Sequence, residues 1–237
     1  MSFKFIDKLI NKNVKYYDHY ISLGYNCEFA YRFYNQFHFV ESSLFTWANS
    51  INFKTLMEAL SDINIILSKM PKFAGSMWRC VDTNIRFHGI EPKTMHNNPS
   101  LEDYEIYQKE LVSRISHLKE KFKNQISDNK KTLFTYTYYI NKENETDIIN
   151  NINLLKNTLI KIGANNFEIL IVLERTKIPI KIQNDLPQVY IRYVEKFAPE
   201  NDVTYKKYDK KSWNNIFKEF KPNFKNKKTK KFKFEDV

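Results

Sequence analysis

Residues 132–173 read TLFTYTYYINKENETDIINNINLLKNTLIKIGANNFEILIVL, and the order of patterns in them decides the fold class. Thr132 to Tyr139 is rich in β-branched and aromatic residues, which suit a pleated, buried strand. Thr146 then caps a stretch in which Ile149, Ile152, Leu155, Leu159 and Ile162 recur at helical spacing, and Gly163 stops it. Phe167 to Leu173 follows as a run that is apolar at every position but Glu168, the pattern of a strand covered on both faces. Strand, helix, strand in this order is a βαβ unit, whose strands run parallel.

The pattern extends outward from there. His19 to Leu23 is the first strand candidate, Asn26 is a good N-cap, and Phe29, Ala30, Phe33 and Phe37 recur at helical spacing behind it. Val189 to Tyr193 supplies another strand. The reading is an α/β fold: a three-layer sandwich with a mostly parallel sheet and helices on both faces. Residues 3–18 read as a short amphipathic lead-in, 53–69 as a helix, 70–83 as irregular, and Ile85 to Phe87 as a short strand. Ser100 with Asp103 makes a capping-box-like start for a helix that buries Tyr104, Tyr107, Leu111, Ile115, Leu118 and Phe122. Trp213, Ile216, Phe217 and Phe220 share one helical face near the end. Residues 1–205 form a single α/β domain in this reading, and 206–237 a basic C-terminal helix and tail.

The net charge of +11 is uneven. From Lys206 to Val237, 12 lysines stand against Asp209, Glu219, Glu235 and Asp236, a net of +8 that leaves +3 for the rest. Lysines interleaved with aromatics suit weak contact with an anionic membrane surface or a polyanion. A terminal helix packed on the body, with a solvated tail, is the plainer reading. Two cysteines are too few for a disulfide scaffold and fit a reducing compartment, although the sequence leaves a Cys27–Cys80 bridge open. The first residues lack the apolar core and cleavage site of a signal peptide, and no run is long and apolar enough to span a bilayer. The expectation is a cytoplasmic protein with no cofactor. Zinc spacings and phosphate-cradling glycine words are absent from the sequence, so no metal ligands are assigned.

Cys27 is placed where a nucleophile is useful. It falls at a strand-to-helix turn, where a helix start favours a thiolate and its N–H groups can hold an oxyanion. Gly24 lets the chain turn before it, and Asn26 either caps the helix or offers its amide to an oxyanion. Filling space is the commoner role of an isolated cysteine. A nucleophile needs a base. Of five histidines, His88 is the best placed, between Phe87 and Gly89 at a strand end; His96, in a polar loop, is second. His117 reads as a surface residue, and packing accounts for His19 and His38. Arg32, Trp47 and His96 are the candidates for substrate contact; for Trp47 the plainer role is core packing, and for Arg32 a solvated helix face.

Three local words carry a resemblance: Ser22-Leu23-Gly24-Tyr25-Asn26-Cys27, Leu44-Phe45-Thr46-Trp47 and Phe87-His88. Together they resemble a bacterial family described as papain-like cysteine peptidases, with an SLG-x-x-C word, a P-F-D-W-like word and a later strand-end histidine. The match has specific words over about residues 20–90. Thr46 stands where that family has an acid, so no carboxylate role carries over. The resemblance implies Cys27 as nucleophile and His88 as base, acting on a peptide, acyl or glycan substrate. The parallel α/β pattern departs from a papain fold and equally suits a hydrolase on a flavodoxin-like sheet. A glycan- or nucleotide-related transferase, or a non-catalytic module binding through the tail, are the other readings.

Overall fold

The computed structural model describes residues 14–50, 52–74, 76–88, 100–140, 143–177, 182, 185–199 and 209–223. In chain order the elements are β1 (Lys15–Tyr17), β2 (His19–Ser22), α1 (Glu28–Phe37), β3 (Ala48–Asn49), α2 (Phe53–Ser61), β4 (Lys72–Ala74), β5 (Met77–Arg79) and β6 (Arg86–Phe87). Then come α3 (Leu101–Ser127), β7 (Thr132–Tyr138), α4 (Glu145–Lys161), β8 (Phe167–Glu174), β9 (Val189–Val194), α5 (Lys210–Glu219) and β10 (Phe220–Pro222).

The central sheet has the order β2-β7-β8-β9, and every pair in it is parallel. Its register sets Ile21 opposite Phe134, Phe134 opposite Ile169, and Ile169 opposite Val189. Successive strand residues point to opposite faces, and the two faces feed separate clusters. Ile21, Phe134, Tyr136, Ile169 and Ile171 pack with Leu56 and Leu60 of α2, Ile115 and Phe122 of α3, and Ile152 and Leu155 of α4. Tyr20, Leu133, Leu170 and Val172 pack with Phe29 and Phe33 of α1 and with Trp213, Ile216 and Phe217 of α5. The chain is thus a mixed α/β protein on a parallel sheet.

Helix boundaries follow local chemistry. Ser100 Oγ accepts the Asp103 N–H to start α3. Asn144 and Asp147 form a reciprocal capping box at α4, two residues earlier than the Thr146 start expected. The helix expected over 53–69 stops at Ser61, because Asp62 is extended and its carboxylate instead accepts the Asn64 N–H to start a single 3₁₀ turn.

Residues 70–83 are not irregular as expected. They hold the hairpin β4–β5, part of a second, antiparallel sheet of order β3-β6-β5-β4. Of the lead-in, residues 3–13 lie outside the described residues, and Lys15–Tyr17 is a strand paired in parallel with β10. Phe220, expected on the last helix, is the first residue of β10. Both cysteines are free. Among the described residues, no helix is long and apolar enough to cross a membrane.

Candidate functional site at the carboxyl end of β2

The chain leaves β2 through Leu23 and turns at Gly24. Gly24 has φ +87°, and a Cβ there would meet Ala48 O at 3.4 Å and Ser50 Oγ at 3.5 Å. A left-handed backbone pressed against another segment is a position for glycine. Cys27 then becomes the N-cap residue of α1, with no side-chain capping bond. It packs against Ala30 and Trp47 and is 9% exposed. Burial pushes its thiol up to about 12. Desolvation disfavours the thiolate, and the resting group is a neutral thiol at physiological pH.

The second and third sequence words come to the same place. Trp47 touches Cys27, and β3 leads directly on from Trp47. The β3–β6 ladder pairs Ala48, the residue after Trp47, with Phe87, the residue before His88. The His88 carbonyl accepts from Arg114 Nη1 of α3 at 3.5 Å. Cys27 thus shares a cluster with Trp47, whose neighbour Ala48 pairs with the residue before His88. His96 lies outside the described residues.

Asn26 does not stand free beside the thiol. Its Oδ1 accepts the Glu28 N–H at 3.0 Å, and its Nδ2 donates to Tyr139 Oη at 2.9 Å. The bond to Tyr139 takes up one of the two Nδ2 hydrogens. The first-turn N–H groups of a helix lack intrahelical acceptors, so those of Phe29 and Ala30 are further donors at this turn.

Arg32 is not on a solvated face. It is 6% exposed, and its Nε and Nη2 donate to Glu28 Oε1 at 3.3 and 3.2 Å. Glu28 is fully buried; its Oε2 accepts from Tyr139 Oη at 3.3 Å and from the Ala198 N–H at 3.1 Å. The Trp213 indole faces the same carboxylate, close enough to favour its charge but off hydrogen-bonding geometry. Burial raises the Glu28 carboxyl above its ordinary value, outweighing the pull of Arg32 and the Ala198 N–H. On its other side Arg32 lines a cleft of about 330 Å³ between α1 and α5, with Asn35, Gln36 and Lys210. The rings of Tyr25, Tyr139 and Phe197 stack in series over the strand ends, at 4.1 and 4.5 Å.

Sequence reasoning passed over Glu28 and Tyr139. The i,i+4 spacing of Glu28 and Arg32 is legible as an ion pair, but an exposed pair looks the same. His19 was also underrated: its Nδ1 lies 2.7 Å from Glu41 Oε1 and its Nε2 2.9 Å from Asp128 Oδ2. It sits at the amino end of β2, away from Cys27. His38 takes the left-handed C-cap of α1 at φ 54°. Among the described residues, no three His, Cys, Asp or Glu side chains cluster as metal ligands.

No family model, curated protein or solved structure matches the chain.

Proposed function

We propose that the chain is a cysteine-dependent hydrolase or acyl-transfer enzyme on a three-layer α/β scaffold, with Cys27 as nucleophile and His88 as base. One observation carries this reading: the three words that resemble the papain-like peptidase family converge in space. Gly24 abuts Ala48 and Ser50, Cys27 packs with Trp47, and Ala48, next to Trp47, pairs with Phe87 of the third word. Sequence words 20 to 60 residues apart have no packing need to share one corner. The position at the carboxyl end of a parallel strand is also where α/β sheets bind ligands.

The raised thiol sets the order of events. A preformed thiolate–imidazolium pair does not fit a neutral, desolvated thiol. The proton leaves Cys27 Sγ for the His88 imidazole as Sγ bonds the carbonyl carbon and the carbonyl electron pair moves onto oxygen. The Phe29 and Ala30 amides face that oxyanion. Collapse expels the leaving group, which takes the proton from the imidazolium. Water then attacks the thioester carbonyl as it gives a proton to His88, the C–S bond breaks to release the acid, and Cys27 Sγ takes the proton back from the imidazolium. Peptide, simple acyl and glycan ester substrates all present the carbonyl this requires.

The test is covalent capture. With p-nitrophenyl acetate, the protein should release a burst of p-nitrophenol and carry one acetyl group on Cys27 by mass spectrometry. Cys27→Ala should abolish the burst and Cys80→Ala should preserve it. Absence of acetyl-Cys27 in the wild-type chain would overturn the reading.

One observation favours a second reading, in which Cys27 is structural and the site binds a glycan or nucleotide for transfer. The thiol is 9% exposed and pushed up to about 12, as a packing cysteine would be. That reading predicts ligand binding unchanged by Cys27→Ala.

A further inference from the structure

The small antiparallel sheet has one apolar face and one cationic face. Its ladders set Phe73 opposite Trp78, Trp78 opposite Phe87, and Phe87 opposite Ala48, a single row across four strands. Trp78, Phe87 and Ala48 are buried in the core. The neighbouring row points the other way. It sets Lys72 opposite Arg79, Arg79 opposite Arg86, and Arg86 opposite Asn49. Three cations and a carboxamide stand side by side, about 4.8 Å apart from strand to strand.

Like charges directly opposed across an antiparallel pair are destabilising, and nothing among the described residues offsets them. Among the described residues, Lys72, Arg79 and Arg86 have no ion-pair or side-chain hydrogen-bond partner. The Nε atoms of Arg79 and Arg86 are moreover buried without an acceptor. A buried charged donor left unmade is costly. Two adjacent guanidinium groups, each with a buried Nε–H left without an acceptor, are organised for an anion that the described residues do not supply.

We propose that this row binds the phosphoryl group of a phosphorylated small molecule, seated between Arg79 and Arg86 with Lys72 beside it. A planar carboxylate carries one charge and matches one fork. A phosphoryl group carries about −1.5 to −2 and three acceptor oxygens, enough to balance both arginines and accept from both. The inference does not depend on Cys27 being a nucleophile. It does place the anion close to that site: Arg86 precedes His88 by two residues, about 7 Å along a strand.

Isothermal titration of the full chain with inorganic phosphate, and in parallel with inorganic pyrophosphate, at constant ionic strength tests this. Saturable binding is expected, weakened at least about tenfold by Arg79→Gln or Arg86→Gln. Lys54→Gln, which removes a charge 85% exposed on α2, should leave it unchanged. Without ligand, either arginine substitution should raise the melting temperature by relieving the opposed charges; a purely structural pair would lower it. Should Arg79→Gln fail to fold, Arg79→Lys keeps the charge without the fork and should still weaken binding. Tighter pyrophosphate identifies a diphosphate ligand and equal affinities a monoester, both sustaining the proposal. No saturable binding of either anion, or affinities indifferent to both arginines, would overturn it.

Discussion

At the scale of single residues, two buried charge groups tie the molecule together. The Glu28–Arg32 pair is almost wholly out of water. Removing one partner leaves the other charge buried alone, so Arg32→Met should cost about 3–5 kcal/mol in urea unfolding. Adding Glu28→Gln to it should restore much of that loss, and a loss the second change leaves untouched would argue against the pairing. His19 is the second group. Burial alone would lower its affinity for a proton, but the hydrogen bonds and charges of Glu41 and Asp128 outweigh that and hold it above its ordinary value. Burial likewise pushes Asp128 up, and His19 with Lys130 outweighs it and holds it down. A group raised on folding contributes stability below its unfolded value, about 6.5 for histidine, and loses it as pH rises through the folded value. Thermal unfolding between pH 5.5 and 9 should therefore show stability falling at the upper end, and His19→Gln should flatten that fall. A slope unchanged by His19→Gln would contradict the account.

At the scale of elements, the β2–α1 turn governs the site. Gly24→Ala adds a Cβ at left-handed φ beside the Ala48 carbonyl. It should cost about 1–2 kcal/mol and shift Cys27, with the loss of Cys27 acylation as the readout. The capping box of α4 offers a simpler check, since Asn144→Ala should lower stability by about 1 kcal/mol in denaturant unfolding.

The same scale shows what the sequence could reveal. β7, α4 and β8 were legible because their apolar residues run seven or more residues at one period. β4 and β5 were not, since three-residue strands carrying Lys72 and Arg79 give too short an alternation to separate from a loop. β1 and β10 owe their existence to each other, across about 200 residues, and no local pattern announces such a pair. Cys27 and Trp47 were readable as candidates. Their contact, and the burial that raises the thiol, depend on tertiary packing.

At the scale of the whole molecule, the basic C-terminal stretch divides. Trp213, Ile216 and Phe217 are buried and β10 pairs with β1, so residues 210–222 belong to the folded body. Residues 224–237 carry six lysines against Glu235 and Asp236, a net of +4. If the tail contacts polyanions by charge alone, removing residues 224–237 should make heparin retention weaker and less salt-dependent. Retention unchanged by that truncation would assign the basic contact to the body.

The central claim is that Cys27 acts with His88, and the pH profile of Cys27 acetylation by p-nitrophenyl acetate in a Cys80→Ala background tests it most directly. If His88 takes the proton, the rate should rise as the imidazole loses its proton and then plateau below the raised thiol range; His88→Ala should remove that step. A rate that climbs steadily toward the raised thiol range and is identical in His88→Ala would contradict it and leave Cys27 as packing.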